Sequence, residues 1–310
     1  MRHMGDVLAG IHATWEFDTD SVLIRFERGI RTPRLFQSLR ERRIPYAALS
    51  SVELFPGKRG TVVLHAVPRP GADPLLEAAA GQLKTGCDPY RLALPAERET
   101  LAGYYADELR AVLGPDASLP ADRFLVAAPE APMQFKAYDG RAGFDGSRVS
   151  FRWSWTGASS AKWKAGDQTF PVAELCGVEW RSPDALEGYL RLVPRGAPTD
   201  AEVAVSVPGP ATGLDTLGQC VQVDQDPAAV LFGRGYGPVH ESLPFAAAVL
   251  ESVRRTQPAP LVTAPAPVGG PLHDPAGVAE RMRHLGELHQ AGLVTDAEYS
   301  AKKAELLAEL

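Results

Sequence analysis

The chain has 310 residues, 45% of them apolar and 23% charged, and a net charge of −6. That balance is typical of soluble globular proteins, the length predicts two domains, and the acidity argues against general nucleic-acid binding. No apolar run approaches the roughly 20 residues of a bilayer span, MRHMGDVLAG lacks the apolar stretch of a signal peptide, and three cysteines without C-x-x-C spacing suit a reducing compartment, so a cytoplasmic location is expected.

The first predicted element is a β-hairpin in ATWEFDTDSVLIRF (Ala13 to Phe26), where Val22, Ile24 and Phe26 alternate after a polar turn. Next comes a stretch with seven arginines (Arg25, Arg28, Arg31, Arg34, Arg40, Arg42, Arg43) against Glu27 and Glu41, a local excess of five positive charges in an acidic chain. An arginine fork takes a phosphate bidentately, and each basic residue near an anionic membrane contributes about 1 kcal/mol. Arg28, Arg31, Arg34, Arg40, Arg42 and Arg43 are therefore anion- or lipid-binding candidates; the alternative is a solvated face, or pairing with acidic groups elsewhere in the chain. RIPYAALSSVEL (Arg43 to Leu54) and TVVLHAV (Thr61 to Val67) read as strands, with PGKRGT as the turn between them. The first half then runs through Asp88-Pro89 into a helix predicted from about Glu97 to Leu113, with Leu101, Tyr105, Leu109 and Val112 at helical spacing.

The order then repeats. GRAGFDGSRVSFRW (Gly140 to Trp153) matches the first hairpin, pairing Phe17 with Phe144, Asp18 with Asp145 and Val22 with Val149. TFPVAELCGVEW (Thr169 to Trp180) matches Arg43 to Leu54, and YLRLV, Asp226-Pro227 and a helix through Phe245, Val249 and Val253 follow, with Pro244 expected in its first turn. At the place of the arginine stretch the second half has only Lys162 and Lys164, around Trp163. Trp153, Trp155 and Trp163 read as core and rim of a strand, and FGRGYG (Phe232 to Gly237) as a flexible loop, since it lacks dinucleotide-binding spacing. Several short strands followed by one amphipathic helix predict, in each half, a small sheet or barrel closed by that helix around its own core. The fold class is mainly β (α+β), with halves at 1–118 and 119–255.

A linker at 256–275 has six prolines in twenty residues from Thr256 to Pro275, which favours an extended tether. Residues 276–310 predict a helical hairpin. Leu285 and Leu288 share a face, Ala291-Gly292 ends the first helix, and Thr295 with Glu298 forms a capping box for the second. A unit that small buries too little apolar surface to offset its ordering entropy, so Leu285, Leu288, Leu293, Val294, Tyr299, Leu306 and Leu307 are the expected docking residues; the alternative is an ordinary helical hairpin folded back on its own body.

The tail, on its leucines, its AGLVTDAEY run and its KKAELL run, resembles the SHOCT (short C-terminal) domain, which implies oligomerisation or recruitment of partners. The strand order and the x-I-P-Y-x-x-L-x-x-V-E phrase (Ile44 to Glu53) resemble the pleckstrin-homology-like (PH-like) fold, giving two tandem PH-like domains in which basic residues near the first hairpin would hold anionic headgroups. The whole arrangement resembles a bacterial family defined by domain of unknown function 4429. No catalytic, cofactor or metal motif stands out. The chain reads as a non-enzymatic interaction or scaffold protein whose partner is a protein or a second copy; the alternative is a peripheral anionic-lipid or phosphate-ligand binding module.

Overall fold

The computed structural model describes residues 6–185, 187–196 and 222–256; the tether beyond Thr256 and the closing hairpin with its seven docking residues lie outside them. The fold is mainly β, built as one arrangement used twice. The first repeat opens with a four-stranded antiparallel sheet of β1 (Asp6–Ala9), β2 (Ala13–Phe17), β3 (Ser21–Phe26) and β4 (Glu41–Pro45), with the short helix α1 (Arg34–Leu39) between β3 and β4. A three-stranded sheet of β5 (Leu49–Pro56), β6 (Thr61–Pro68) and β7 (Arg91–Pro95) follows, with helix α2 (Pro74–Ala79) between β6 and β7, and helix α3 (Glu99–Ala111) closes the repeat. The second repeat has β8 (Met133–Lys136), β9 (Gly140–Phe144), β10 (Arg148–Trp153) and β11 (Gln168–Pro171), with α4 (Ser160–Ala165) before β11. It continues with β12 (Leu175–Arg181), β13 (Tyr189–Pro194) and β14 (Ala229–Leu231), and ends in helix α5 (Val239–Thr256).

The internal repeat seen in the sequence holds down to single bonds. Phe17 lies opposite Val22 and Phe144 opposite Val149. A bulge interrupts β5 between Leu49 and Ser51, and β12 between Leu175 and Gly177. In each Asp-Pro step the carboxylate accepts the backbone N–H two residues on, Tyr90 for Asp88 and Ala228 for Asp226, an Asx turn that starts the last strand. The same carboxylates meet His65 and Arg191, which also face Glu53 and Glu179. A matching backbone bond joins the two sheets in each repeat: Ile11 N–H to the Ala93 carbonyl (2.8 Å), and Tyr138 N–H to the Leu231 carbonyl (2.9 Å).

Both closing helices lie over the same aromatic position. Tyr105 of α3 stacks on Phe17, and Phe245 of α5 stands edge-on to Phe144. Helix α5 starts at Val239, so Pro244 lies inside the helix rather than in its first turn, removing one backbone donor. Against the expectation of two separate cores, a single cluster of buried side chains runs through both repeats. Its bridge is α5, packed on α1 and α2 of the first repeat. Leu35, Leu39, Leu75, Ala78 and Ala79 are buried there with Ala247 and Ala248, and each fully buried leucine is worth roughly 1.5–3 kcal/mol. The small residues on α5 permit close approach. Polar stitches follow the same seam: Gln82 donates to the Trp180 carbonyl and accepts from Ser182 N–H. Arg254 donates to the Gly71 carbonyl and lies 4.4 Å from the centre of the Phe124 ring.

Candidate functional site: a basic face and the cleft between the repeats

The arginine stretch divides into buried and exposed members. In β4 the side chains alternate, so the inward Ile44 places Arg42 inward as well. Arg42 is buried, its Nη2 2.6 Å from Asp73 Oδ1 and its Nε donating to the Tyr90 hydroxyl, which itself donates to Asp73 Oδ2. Burial opposes the Arg42 charge, but Asp73 and Tyr90 outweigh it and hold the guanidinium pKa above its ordinary value; burial pushes the Tyr90 hydroxyl well up. A buried charge is tolerated when paired and hydrogen-bonded, so Arg42 is a structural residue and leaves the candidate surface.

Lys162 leaves it too. Its ammonium is fully buried, 2.6 Å from Asp139 Oδ2 and 5.2 Å from the Trp153 ring centre, while Asp139 Oδ1 accepts the Leu231 N–H. Lys162 over Trp153 occupies the site where the first repeat stacks Phe36 on Phe26. Arg43 is exposed but paired with Asp18 and bonded to Ser21 Oγ, and Arg25 meets Glu16 at 3.1 Å. Arg28, Arg31, Arg34 and Arg40 remain exposed, and Lys164 is exposed in the second repeat. Arg40 holds φ 60°, where the matching C-cap of α4 is Gly166 at φ 68°. A non-glycine residue in that region carries about 1–3 kcal/mol of strain.

Arg34 faces a cleft between the repeats that the sequence reading missed. One part, of about 150 Å³, is lined by Arg34, Gln82, Lys84, Cys87, Trp180, Asp184 and His240 among others. An adjoining part, of about 330 Å³, shares Arg34, Asp184 and His240 and adds Arg234 and Tyr236. Lys84 meets Asp184 at 2.9 Å, and that bond raises the Lys84 pKa. Burial lowers the His240 pKa; Glu241 opposes this and Arg34 adds to it. Burial raises the Cys87 thiol pKa, with Lys84 pulling the other way, so the cleft keeps that thiol protonated rather than activated. With Arg34 and Arg234 on its walls beside the Lys84–Asp184 pair, the cleft presents two guanidinium groups to an anion. The FGRGYG run, read as a flexible loop, is an ordered turn there: Gly233 and Tyr236 are bridged, and Gly235 and Gly237 take positive φ. The arginine within that run was the available signal.

The tryptophans also depart from expectation. Trp153 is half-buried, with its indole N–H on the Gly166 carbonyl. Trp155 and Trp163 are 83% and 52% exposed and pack edge-on to each other, 5.8 Å between ring centres. Ile30, amid the free arginines of the first repeat, is fully exposed.

Comparison with known families matches a domain of unknown function (DUF4429) to residues 15–110 and again to 142–250. A Short C-terminal domain (SHOCT) matches residues 280–307. No curated protein matches the chain.

Proposed function

The chain belongs to the family defined by the domain of unknown function DUF4429, and from that premise we propose that it is a non-enzymatic, cytoplasmic interaction protein whose C-terminal tail gathers copies or partners around a two-repeat body. The observation that carries this reading is the SHOCT match at 280–307 beyond a proline-rich segment and a body that closes its own core. The tail is too small to hold itself folded, so it docks on a second copy or on another protein through Leu285, Leu288, Leu293, Val294, Tyr299, Leu306 and Leu307. Deleting residues 272–310 is expected to lower the mass found by light scattering, and an unchanged mass counts against self-association. A pull-down that recovers the same proteins with and without the tail counts against partner docking. We read each repeat as PH-like, on the pattern of four strands, three strands and a closing helix.

A second reading is favoured by Arg40: the first repeat keeps a strained arginine where the second repeat has glycine, and backbone strain of this kind concentrates at functional positions. With Arg28, Arg31 and Arg34 it forms a face for anionic lipid or for a phosphate-bearing ligand. Binding to anionic vesicles is then salt-sensitive. Changing Arg31, Arg34 and Arg40 to Ala is expected to abolish co-sedimentation; unchanged co-sedimentation removes this reading and leaves the tail-based one standing.

A further inference from the structure

We propose that the two repeats share a membrane-facing edge, where the loops after β3 and β10 seat apolar side chains among the headgroups of an anionic leaflet. This rests on the anionic-surface reading and names the membrane, rather than free phosphate, as its source. It adds Ile11, Ile30, Tyr138, Trp155 and Trp163, which no charge-based reading would select.

The two loops occupy one position in the repeated fold. Each starts with a backbone N–H bonded to the turn before the second strand, Glu27 to the His12 carbonyl and Ser154 to the Asp139 carbonyl. At that corner the first repeat exposes Ile11 (41%) and Ile30 (105%), and the second exposes Tyr138 (52%), Trp155 and Trp163. Five of the nine large apolar side chains exposed among the described residues stand at this corner of one repeat or the other, and grouped apolar exposure of this kind marks interaction sites. Cations stand beside them, Arg28 and Arg31 around Ile30 and Lys164 next to Trp163. The corners adjoin through the cleft: Arg34 follows the first loop, Tyr236 lines the same cleft, and Tyr236 stands edge-on to Tyr138 at 6.2 Å.

The chemistry selects the occupant. A free phosphate gains nothing from an indole 83% in water. A leaflet offers headgroup charge for the arginines and lysine, with acyl boundary just beneath for tryptophan and isoleucine, the mixed environment in which indole and phenol rings partition best. Among the described residues no helix is long and apolar enough to cross a membrane, so the contact is peripheral.

Tryptophan emission tests this on the full chain, because Trp15 and Trp180 are buried and Trp153 is half-buried. Adding vesicles of mixed phosphatidylserine and phosphatidylcholine is expected to shift emission to the blue, and brominated acyl chains to quench it. Trp155→Ser with Trp163→Ser is expected to weaken partitioning at least about tenfold, with the melting temperature unchanged since both side chains are exposed, and Ile30→Ser to weaken it less. Vesicle binding with no emission shift and no loss in the double variant overturns the membrane edge but leaves the arginine reading intact. So does equal binding of soluble inositol phosphate. If neither vesicles nor inositol phosphate bind, both readings fall.

Discussion

Aligned on Tyr105 and Phe245, which pack on equivalent phenylalanines, helices α3 and α5 differ along one face. On α3 that face is Tyr104, Asp107 and Glu108, all exposed; on α5 the same positions are Pro244, Ala247 and Ala248, all buried. A duplicated element has thus become two different things. In the second repeat it cements one unit to the next, while in the first it presents a charged outer wall, as the terminal units of repeat arrays do. The buried ions differ in the same spirit. Each repeat seats one cation inside, but the first holds Arg42 from a strand against Asp73, and the second holds Lys162 from a helix against Asp139. The shared fold does not fix where the buried cation sits: Lys162 stands on α4 at the place Phe36 takes on α1, while Arg42 comes from β4.

The largest expected effects come from breaking those ion pairs. Asp73→Ala and Asp139→Ala each strip a buried cation of its carboxylate and are expected to cost about 3–5 kcal/mol in urea unfolding. If either costs less than 1 kcal/mol, the pair is not what holds its cation inside. The helix comparison is tested by exchange. Ala248→Glu puts the residue of α3 into the seam and is expected to cost at least about 3 kcal/mol through an unpaired buried charge, whereas Glu108→Ala stays within about 0.5 kcal/mol. Equal costs would erase the distinction between wall and cement. Arg40→Gly puts at that C-cap the residue the second repeat has there, and is expected to stabilise by about 1 kcal/mol while weakening anionic-vesicle binding. The smallest effect is the pH response of His240, which stands where α3 has Thr100. Its folded pKa is lowered by burial, so the unfolded chain takes up the proton first. Stability then falls as pH drops through about 6.5, and His240→Gln flattens that slope.

Much of this fold is legible in the sequence because its signals are local. Val22, Ile24 and Phe26 alternate as a strand must, the Asp-Pro steps start strands, and Tyr105 and Leu109 mark a helix face. The candidate site was less legible, since charge alone does not say inside or outside: Arg42 and Arg43 are neighbours, one buried and one exposed. Parity with Ile44 distinguishes them, once the strand is known. Helix α2 carried its own signal, Asp73 as N-cap and Pro74 at the first helical position. The burial of Lys162 had none, because its partner Asp139 comes from a turn 23 residues away. The seam between repeats was equally hidden, for it depends on pairings between segments far apart in sequence.

The hold of Arg254 on Gly71 and Phe124, near the point where the tether leaves α5, has a mechanical consequence. A pull arriving through the tail reaches α5 at a place stitched to the first repeat, so the load spreads over both repeats instead of stripping the second from the chain. With that stitch and a shared core, the two repeats bear such a load as one body.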